Sequence, residues 1–127
     1  MQHRCHVSRF AYRKAGRNDQ GKQRPQVVLT LGERGSTVLD CGERYVQSAF
    51  RVNAVDTTAA GDTFTGYYLA GLSRGEPMDV ILRRAAAASA IAVSRKGASI
   101  SIPYAQDVEK ALQAAGKNAC FLDLSVI

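Results

Sequence analysis

Short apolar runs separated by glycines fill the chain between residues 26 and 55. The run at residues 27–31 is rich in β-branched side chains and ends at Gly32, which predicts a strand buried on both faces of a sheet. Three shorter runs follow at residues 37–39, 45–46 and 50–55. Their spacing predicts hairpin strands at the edge of the same sheet.

After residue 56 the apolar positions take a helical period. Aromatic and leucine side chains from Phe64 to Leu72 recur at three- and four-residue intervals, and Gly75 supplies a stop. The alanine-rich residues 77–96 predict a second helix, with Pro77 in its first turn. A third, amphipathic helix is predicted at residues 104–116, with Val108, Leu112 and Ala115 facing inward. Residues 98–103 are expected to be extended.

Strands followed by helices around one sheet predict an α/β layer architecture. The length of 127 residues fits one domain. We divide the chain into a basic leader at residues 1–24, a folded part at residues 25–116 and a tail at residues 117–127. The tail carries no clear structural signal.

The net charge of +6 lies in the leader and not in the folded part. Residues 1–24 hold seven basic side chains and one acid, and the remaining residues hold ten of each sign. A basic arm can bind phosphate backbones, but the low apolar content of this segment favours a disordered or unrelated terminus. A nucleic-acid partner is therefore not expected.

The cysteines and the apolar runs bear on location. Three widely spaced cysteines fit a reducing compartment better than a disulfide framework. His3, Cys5 and His6 lie close together, but no second ligand cluster completes a tetrahedral metal site. The sequence also has neither an apolar run of about 18 residues nor the apolar centre of a secretory signal. We expect a cytoplasmic protein without a membrane partner.

The segment VDTTAAGDTF places small residues immediately before a predicted helix. At Ala59, Ala60 and Gly61, backbone N–H groups can approach an anion closely, and the helix dipole adds positive charge. An anion hole is therefore expected, and it suits a transferring phosphoryl group. The Asp62 carboxylate is placed either to act as general base for an attacking hydroxyl or to cap the helix.

Two further features of the loops are less specific. Asp56 can orient the loop, hold a cation or accept backbone hydrogen bonds. The loop around Gly32 and Gly35 lacks the lysine of a Walker-type P-loop, and it lacks the flanking helices of a nucleic-acid clamp.

Taken together and in this order, VVLTLGERGS, VDTTAAGDTFTGYYLAGL and AAAASAIAVSRKGASISIP resemble the carboxyl-terminal part of the ribokinase-like (PfkB) carbohydrate kinase family. The resemblance implies part of a three-layer α/β/α sandwich with an incomplete sheet. It also implies a transferase that phosphorylates a sugar hydroxyl with ATP. Mg²⁺ would be carried on the nucleotide, and a monovalent cation, usually K⁺, would be bound nearby.

The resemblance also implies roles for individual residues. Asp62 would be the catalytic base and would contact the sugar, and the anion hole would comprise Ala59, Ala60, Gly61 and Asp62. Besides Gly61 and Asp62, the nucleotide site would comprise Thr30, Leu31, Gly32, Glu33, Arg34, Gly35 and Ala86. The monovalent-cation site would comprise Asp56, Thr58, Ala92, Arg95, Gly97 and Ser101.

The chain differs from the family in its amino-terminal part, and this difference affects the function that we expect. The amino-terminal half of such kinases supplies most of the sheet, the sugar-binding residues and a lid, and residues 1–24 do not match it. We therefore expect a truncated sugar kinase, with a non-catalytic fragment that binds nucleotide or a partner as the alternative. The strand at residues 27–31 would then expose an edge and an apolar face, which favours self-association or partner docking.

Overall fold

The computed structural model describes the backbone of residues 8–11, together with residues 26–40 and 42–127. The described residues form one antiparallel sheet and three α-helices. The strands are β1 (Ser8–Ala11), β2 (Val27–Thr30), β3 (Ser36–Asp40) and β4 (Glu43–Gln47), and the helices are α1 (Ala60–Ser73), α2 (Met78–Val93) and α3 (Ala105–Ala115). The predicted α/β class and the incomplete sheet are confirmed.

The sheet has the strand order β1-β4-β3-β2, so β2 lies at an edge among the described strands. The prediction that this strand is buried on both faces is wrong, because Val27 is 50% exposed and Leu29 is 53% exposed. The alternate residue Val28 packs with Val38 and Tyr45 of the neighbouring strands toward the helices. The exposed edge and apolar face expected of this strand are present.

Two other predicted extended segments have different conformations. The hairpin of β3 and β4 is confirmed, but residues 50–55 contribute only a single bridge, between Arg51 and Phe121. The amides of Val55 and Asp56 instead donate to the Val93 carbonyl at the end of α2. Residues 98–103 contain the 3₁₀ turn Ser99–Ser101, in which a serine bonds locally to the backbone.

Four residues of the basic leader belong to the sheet. Strand β1 pairs antiparallel with β4, with Ser8 opposite Val46 and Ala11 opposite Glu43. The expectation of a disordered leader is therefore wrong for residues 8–11. Residues 1–7, 12–25 and 41, including the His3, Cys5 and His6 cluster, lie outside the described residues.

Helix α2 is the centre of the helical layer. It begins directly after Pro77, and from Ala85 onward it is buried on several sides, because most side chains in that part are alanine. One apolar cluster joins it to the sheet and α1 through Val38, Phe64 and Leu82. A second cluster joins its other face to α3 and to Leu122 of the tail. The tail therefore packs on the core.

Polar contacts attach the outer elements to this core. The hydroxyl of Tyr68, on α1, donates to Gln26 beside β2, and burial, followed by the charge of Asp40, raises the pKa of Tyr68 to about 12. The Arg84 guanidinium on α2 bonds Glu76 and also reaches Glu109 on α3 at 2.6 Å. The Glu109 bond links α2 to α3, but both pairs are partly exposed and so add little stability.

None of the helices in the described ranges combines the length and the apolar character that crossing a membrane requires.

Two glycines of α1 give a test of how closely α1 and α2 pack. A Cβ at Gly71 would lie 2.7 Å from Ile81 Cγ1 on α2, whereas a Cβ at Gly66 would meet nothing within 4 Å. We expect Gly71→Ala to lower the free energy of unfolding by about 1–3 kcal/mol through overpacking. Gly66→Ala should raise it by about 0.5–1 kcal/mol through helix propensity. Urea unfolding of both variants measures the difference, and equal effects would contradict this packing.

Candidate active site

The loop between β2 and β3 is closed by its own backbone. The Leu31 amide donates to the Gly35 carbonyl at 2.8 Å, and the Gly35 amide donates to the Gly32 carbonyl at 3.1 Å. Gly35 has φ +92°, and a Cβ there would lie 2.1 Å from the Gln47 carbonyl oxygen of β4. Only glycine fits this position, because a side chain would collide with the neighbouring strand. The loop is therefore closed by hydrogen bonds and packed against β4.

The first turn of α1 presents unpaired backbone donors. Its N-cap residue is Ala59, which has no capping side chain, so the alternative that Asp62 caps the helix is not supported. The Ala60 amide donates to the Thr57 carbonyl at 3.2 Å. Within the described part of the chain, the amides of Gly61 and Asp62 have no hydrogen-bond partner. These two donors and the helix dipole favour an anion at this position.

The glycine loop and the start of α1 meet at one cavity of about 1180 Å³. The residues expected to bind nucleotide that line this cavity are Thr30, Gly32, Glu33, Arg34, Gly35, Gly61 and Ala86, and Ala60 of the expected anion hole lines it as well. Leu31, Ala59 and Asp62 are not part of the lining. Asp62 follows Gly61 directly, and its side chain is exposed. The volume is large enough for a nucleotide-sized ligand.

Sequence reasoning missed an apolar wall of this cavity. Helix α2 contributes Ala86, Ser89, Ala90 and Val93, which share one helical face at three- and four-residue spacing. That spacing was present in the sequence, but only Ala86 was singled out. Phe50 adds to the same wall from the loop after β4, and no local pattern marks it as a cavity residue.

One residue links this wall to the start of α1. The Ser89 hydroxyl donates to the Ala60 carbonyl at 3.1 Å, so α2 also fixes the position of the first turn of α1. The two walls of the cavity are therefore held together by a direct contact.

Three of the six residues expected at a cation site are joined by hydrogen bonds. Asp56 Oδ1 accepts from the Thr58 amide at 2.9 Å and from the Thr58 hydroxyl, and Oδ2 accepts from the Gly97 amide at 3.2 Å. These bonds hold the pKa of Asp56 below its usual range, and the bond from the Thr58 hydroxyl has the largest effect. The sequence left three roles open for Asp56: orienting the loop, holding a cation or accepting backbone hydrogen bonds. The structure shows the last of these.

The other three residues lie at or after the end of α2. The Ala92 carbonyl accepts from the Arg95 amide at 3.2 Å, and Ser101 is fully buried. In residues 26–40 and 42–127, no group of three or more His, Cys, Asp or Glu side chains is arranged to hold a metal ion. A cation here would therefore be held mainly by backbone carbonyls.

Comparison with known proteins identifies relatives of this arrangement. Residues 4–105 match the sequence pattern of a protein family, the pfkB family of carbohydrate kinases. The chain is 46% identical over 87 residues to the ribokinase of Schizosaccharomyces pombe, an alignment that covers 68% of this chain and 27% of the relative. The match to the family begins at residue 4, which lies inside the basic leader at residues 1–24.

Solved structures give the same result. Arabidopsis thaliana ribokinase, complexed with ribose and ATP, superposes with a TM-score of 0.63 at 40% identity, covering 67% of this chain and 28% of that protein. An E. coli protein solved with ATP and Mg²⁺ superposes with a TM-score of 0.63 at 28% identity, covering 66% of this chain and 27% of that protein. The alignments thus span less than a third of each relative.

The hydrogen bonds to Asp56 predict a local response to acid. Because the folded-state pKa lies below the ordinary value of about 3.9, the contact is present above that value and is lost as the pH falls through the lowered pKa. We expect the exchange protection of the Gly97 amide, measured by NMR, to fall in this acid range. The Ser101 amide is the control, because its acceptor is the Ala98 carbonyl, which does not titrate. Parallel loss of protection at both amides would contradict a specific role for Asp56.

Proposed function

Because this chain belongs to the pfkB family of carbohydrate kinases, we propose that it carries the nucleotide-binding and catalytic part of an ATP-dependent sugar kinase. The observation that carries the proposal is the meeting of the glycine loop, the start of α1 and the apolar face of α2 at one cavity. Its acceptor would be a small sugar such as ribose. A cytoplasmic location is part of the proposal.

The cavity fits a nucleotide in both size and chemistry. Ala86, Ala90 and Phe50 offer an apolar surface for a base. The loop from Gly32 to Gly35 and Gly61 line the same cavity, and the phosphates would bind there, next to the start of α1. ATP would supply the phosphoryl group, and Mg²⁺ would enter with the phosphates, since the described residues hold no carboxylate cluster of their own.

The chemistry proposed for the chain needs one base and one group of donors. The Asp62 carboxylate would take the proton of the sugar hydroxyl, whose oxygen attacks the terminal phosphorus. The bond between that phosphorus and the β–γ bridging oxygen breaks, and ADP leaves. The amides of Gly61 and Asp62 would bind the negative charge that grows on the transferring group. Asp62 is exposed and makes no hydrogen bond in the described structure, so its carboxylate is available to a substrate.

The monovalent cation is assigned to the loop held by Asp56. Hydrogen bonds to Thr58 and Gly97 bring the turn before α1 next to the segment after α2. Carbonyl groups at Ala92, Arg95 and Ser101 would complete the site. A bound K⁺ would stabilise the turn that leads into the anion hole.

Asp62→Asn tests the catalytic role. We expect phosphoryl transfer to ribose to fall by roughly 10²- to 10⁴-fold, because the amide cannot accept the proton, while affinity for an ATP analogue is retained. Coupled release of ADP measures the rate, and calorimetry measures the affinity.

Asp79→Asn is the matched control, because Asp79 is also an exposed acid in the first turn of a helix, α2. Its rate should equal that of the unmodified chain. Equal rates for the chain and Asp62→Asn would contradict the role of Asp62 as base. If the unmodified chain binds the ATP analogue but transfers no phosphoryl group, the alternative of a non-catalytic nucleotide-binding or partner-docking fragment holds.

A second proposal concerns association with another copy of the chain. Strand β2 ends the described sheet, and Val27 and Leu29 expose half of their surface on the face away from the helices. An apolar edge strand of this kind favours pairing with a second strand. We therefore propose that two copies associate through β2.

The double variant Val27→Lys/Leu29→Lys should shift the chain toward monomer in sedimentation at micromolar concentration, because charge on an edge strand opposes pairing. Ile100→Lys is the control, since Ile100 is 81% exposed and lies far from β2 in sequence, in the turn after α2. A compact monomer for the unmodified chain, or an equal effect of both changes, would contradict association through β2.

A further inference from the structure

The tail at residues 117–127 forms part of the cavity of about 1180 Å³. Cys120 lines this cavity together with Phe50 and Arg51, although the match to the kinase family ends at residue 105. The Arg51 amide donates to the Cys120 carbonyl at 2.7 Å, and Arg51 forms a parallel bridge with Phe121. The tail therefore adds one residue to the lining and is bonded to a second one.

Leu122 attaches the tail to the core next to the cavity. It is 5% exposed and belongs to the same apolar cluster as Phe50, Ala86 and Ala90, all of which line the cavity. Leu122 itself is not among the described residues that line it. It can therefore affect a ligand in the cavity only through the residues with which it packs.

A second attachment lies at the residue immediately before the tail. The Arg83 guanidinium of α2 donates to the Gly116 carbonyl, and it lies 5.0 Å from the centre of the Phe50 ring. One side chain thus connects α2, the beginning of the tail and a residue of the cavity wall. The tail is held at both ends of residues 116–122, and both attachments involve the surroundings of Phe50.

We propose that the tail positions the cavity wall at Phe50 and Arg51, so that docking of the tail and binding of a nucleotide strengthen each other. This inference rests on the proposed function, because it requires that the cavity binds a nucleotide. In the described part of the chain, the bridge to the tail is the only strand-type pairing of residues 50–55. A wall without that pairing would have to be ordered by the ligand, and this ordering would lower the affinity. Leu122 is accordingly a positioning residue.

The first test compares Leu122→Ala with Val108→Ala in calorimetry with a non-hydrolysable ATP analogue. Val108 is fully buried in the same apolar cluster, but α3, to which it belongs, contributes none of the described residues of the lining. Leu122→Ala should bind the analogue about 5- to 150-fold more weakly, which is the usual range of coupling between two sites. Val108→Ala also loses buried apolar contacts, but it should bind like the unmodified chain. Circular dichroism confirms that both variants are folded.

The second test uses the unmodified chain, so it does not depend on how a variant folds. Coupling is reciprocal, so the ATP analogue should stabilise the docked tail by a similar factor. We expect the analogue to slow hydrogen exchange of the Arg51 amide, measured by NMR, because the acceptor of that amide is the tail carbonyl of Cys120. The Val108 amide is the control, since it donates to the Tyr104 carbonyl at the start of α3. Its exchange rate should not change.

The outcomes separate this inference from the proposed function. If the unmodified chain does not bind the ATP analogue, both fail. If it binds and Leu122→Ala loses no more affinity than Val108→Ala, the role of the tail fails and nucleotide binding stands. Unchanged exchange of the Arg51 amide on binding would overturn the role of the tail in the same way. If Leu122→Ala does not fold, the exchange measurement decides alone.

Discussion

The burial of α2 between the sheet, α1 and α3 is the constraint on which the rest of the structure depends. Alanines let the helix approach its neighbours closely, and Gly71 of α1 leaves room for Ile81. The contact from Ser89 to Ala60 then fixes the first turn of α1 beside the same helix. A bulkier helix would move α1 away from the glycine loop and open the cavity between them.

The candidate site combines a rigid side with an adaptable one. Gly35 lies so close to β4 that its loop cannot move any nearer to that strand. The turn before α1, by contrast, is held by hydrogen bonds from Thr58 and Gly97 to one carboxylate, Asp56. A ligand that binds between the two would meet a loop closed by its own hydrogen bonds on one side. On the other side it would meet a turn whose order depends on an ionised acid.

The same architecture leaves part of the molecule uncovered. Helices pack on one face of the sheet, while Val27 and Leu29 face away from them. The tail instead packs into the helical layer, with Leu122 buried beside Phe50 and α3. Apolar surface is thus well covered around α2 and poorly covered along β2. The chain also aligns with less than a third of the length of each relative compared.

Local pattern in the sequence was sufficient for the types of most elements and for the two loops of the site. Helix periods, glycine stops and the run before Asp62 are properties of neighbouring residues, so they can be read without a fold. The exposure of β2, the bond from the Gly97 amide to Asp56 and the place of Phe50 in the cavity depended on the folded chain. Each joins residues distant in sequence, and such contacts follow from packing, which propensity and spacing do not encode.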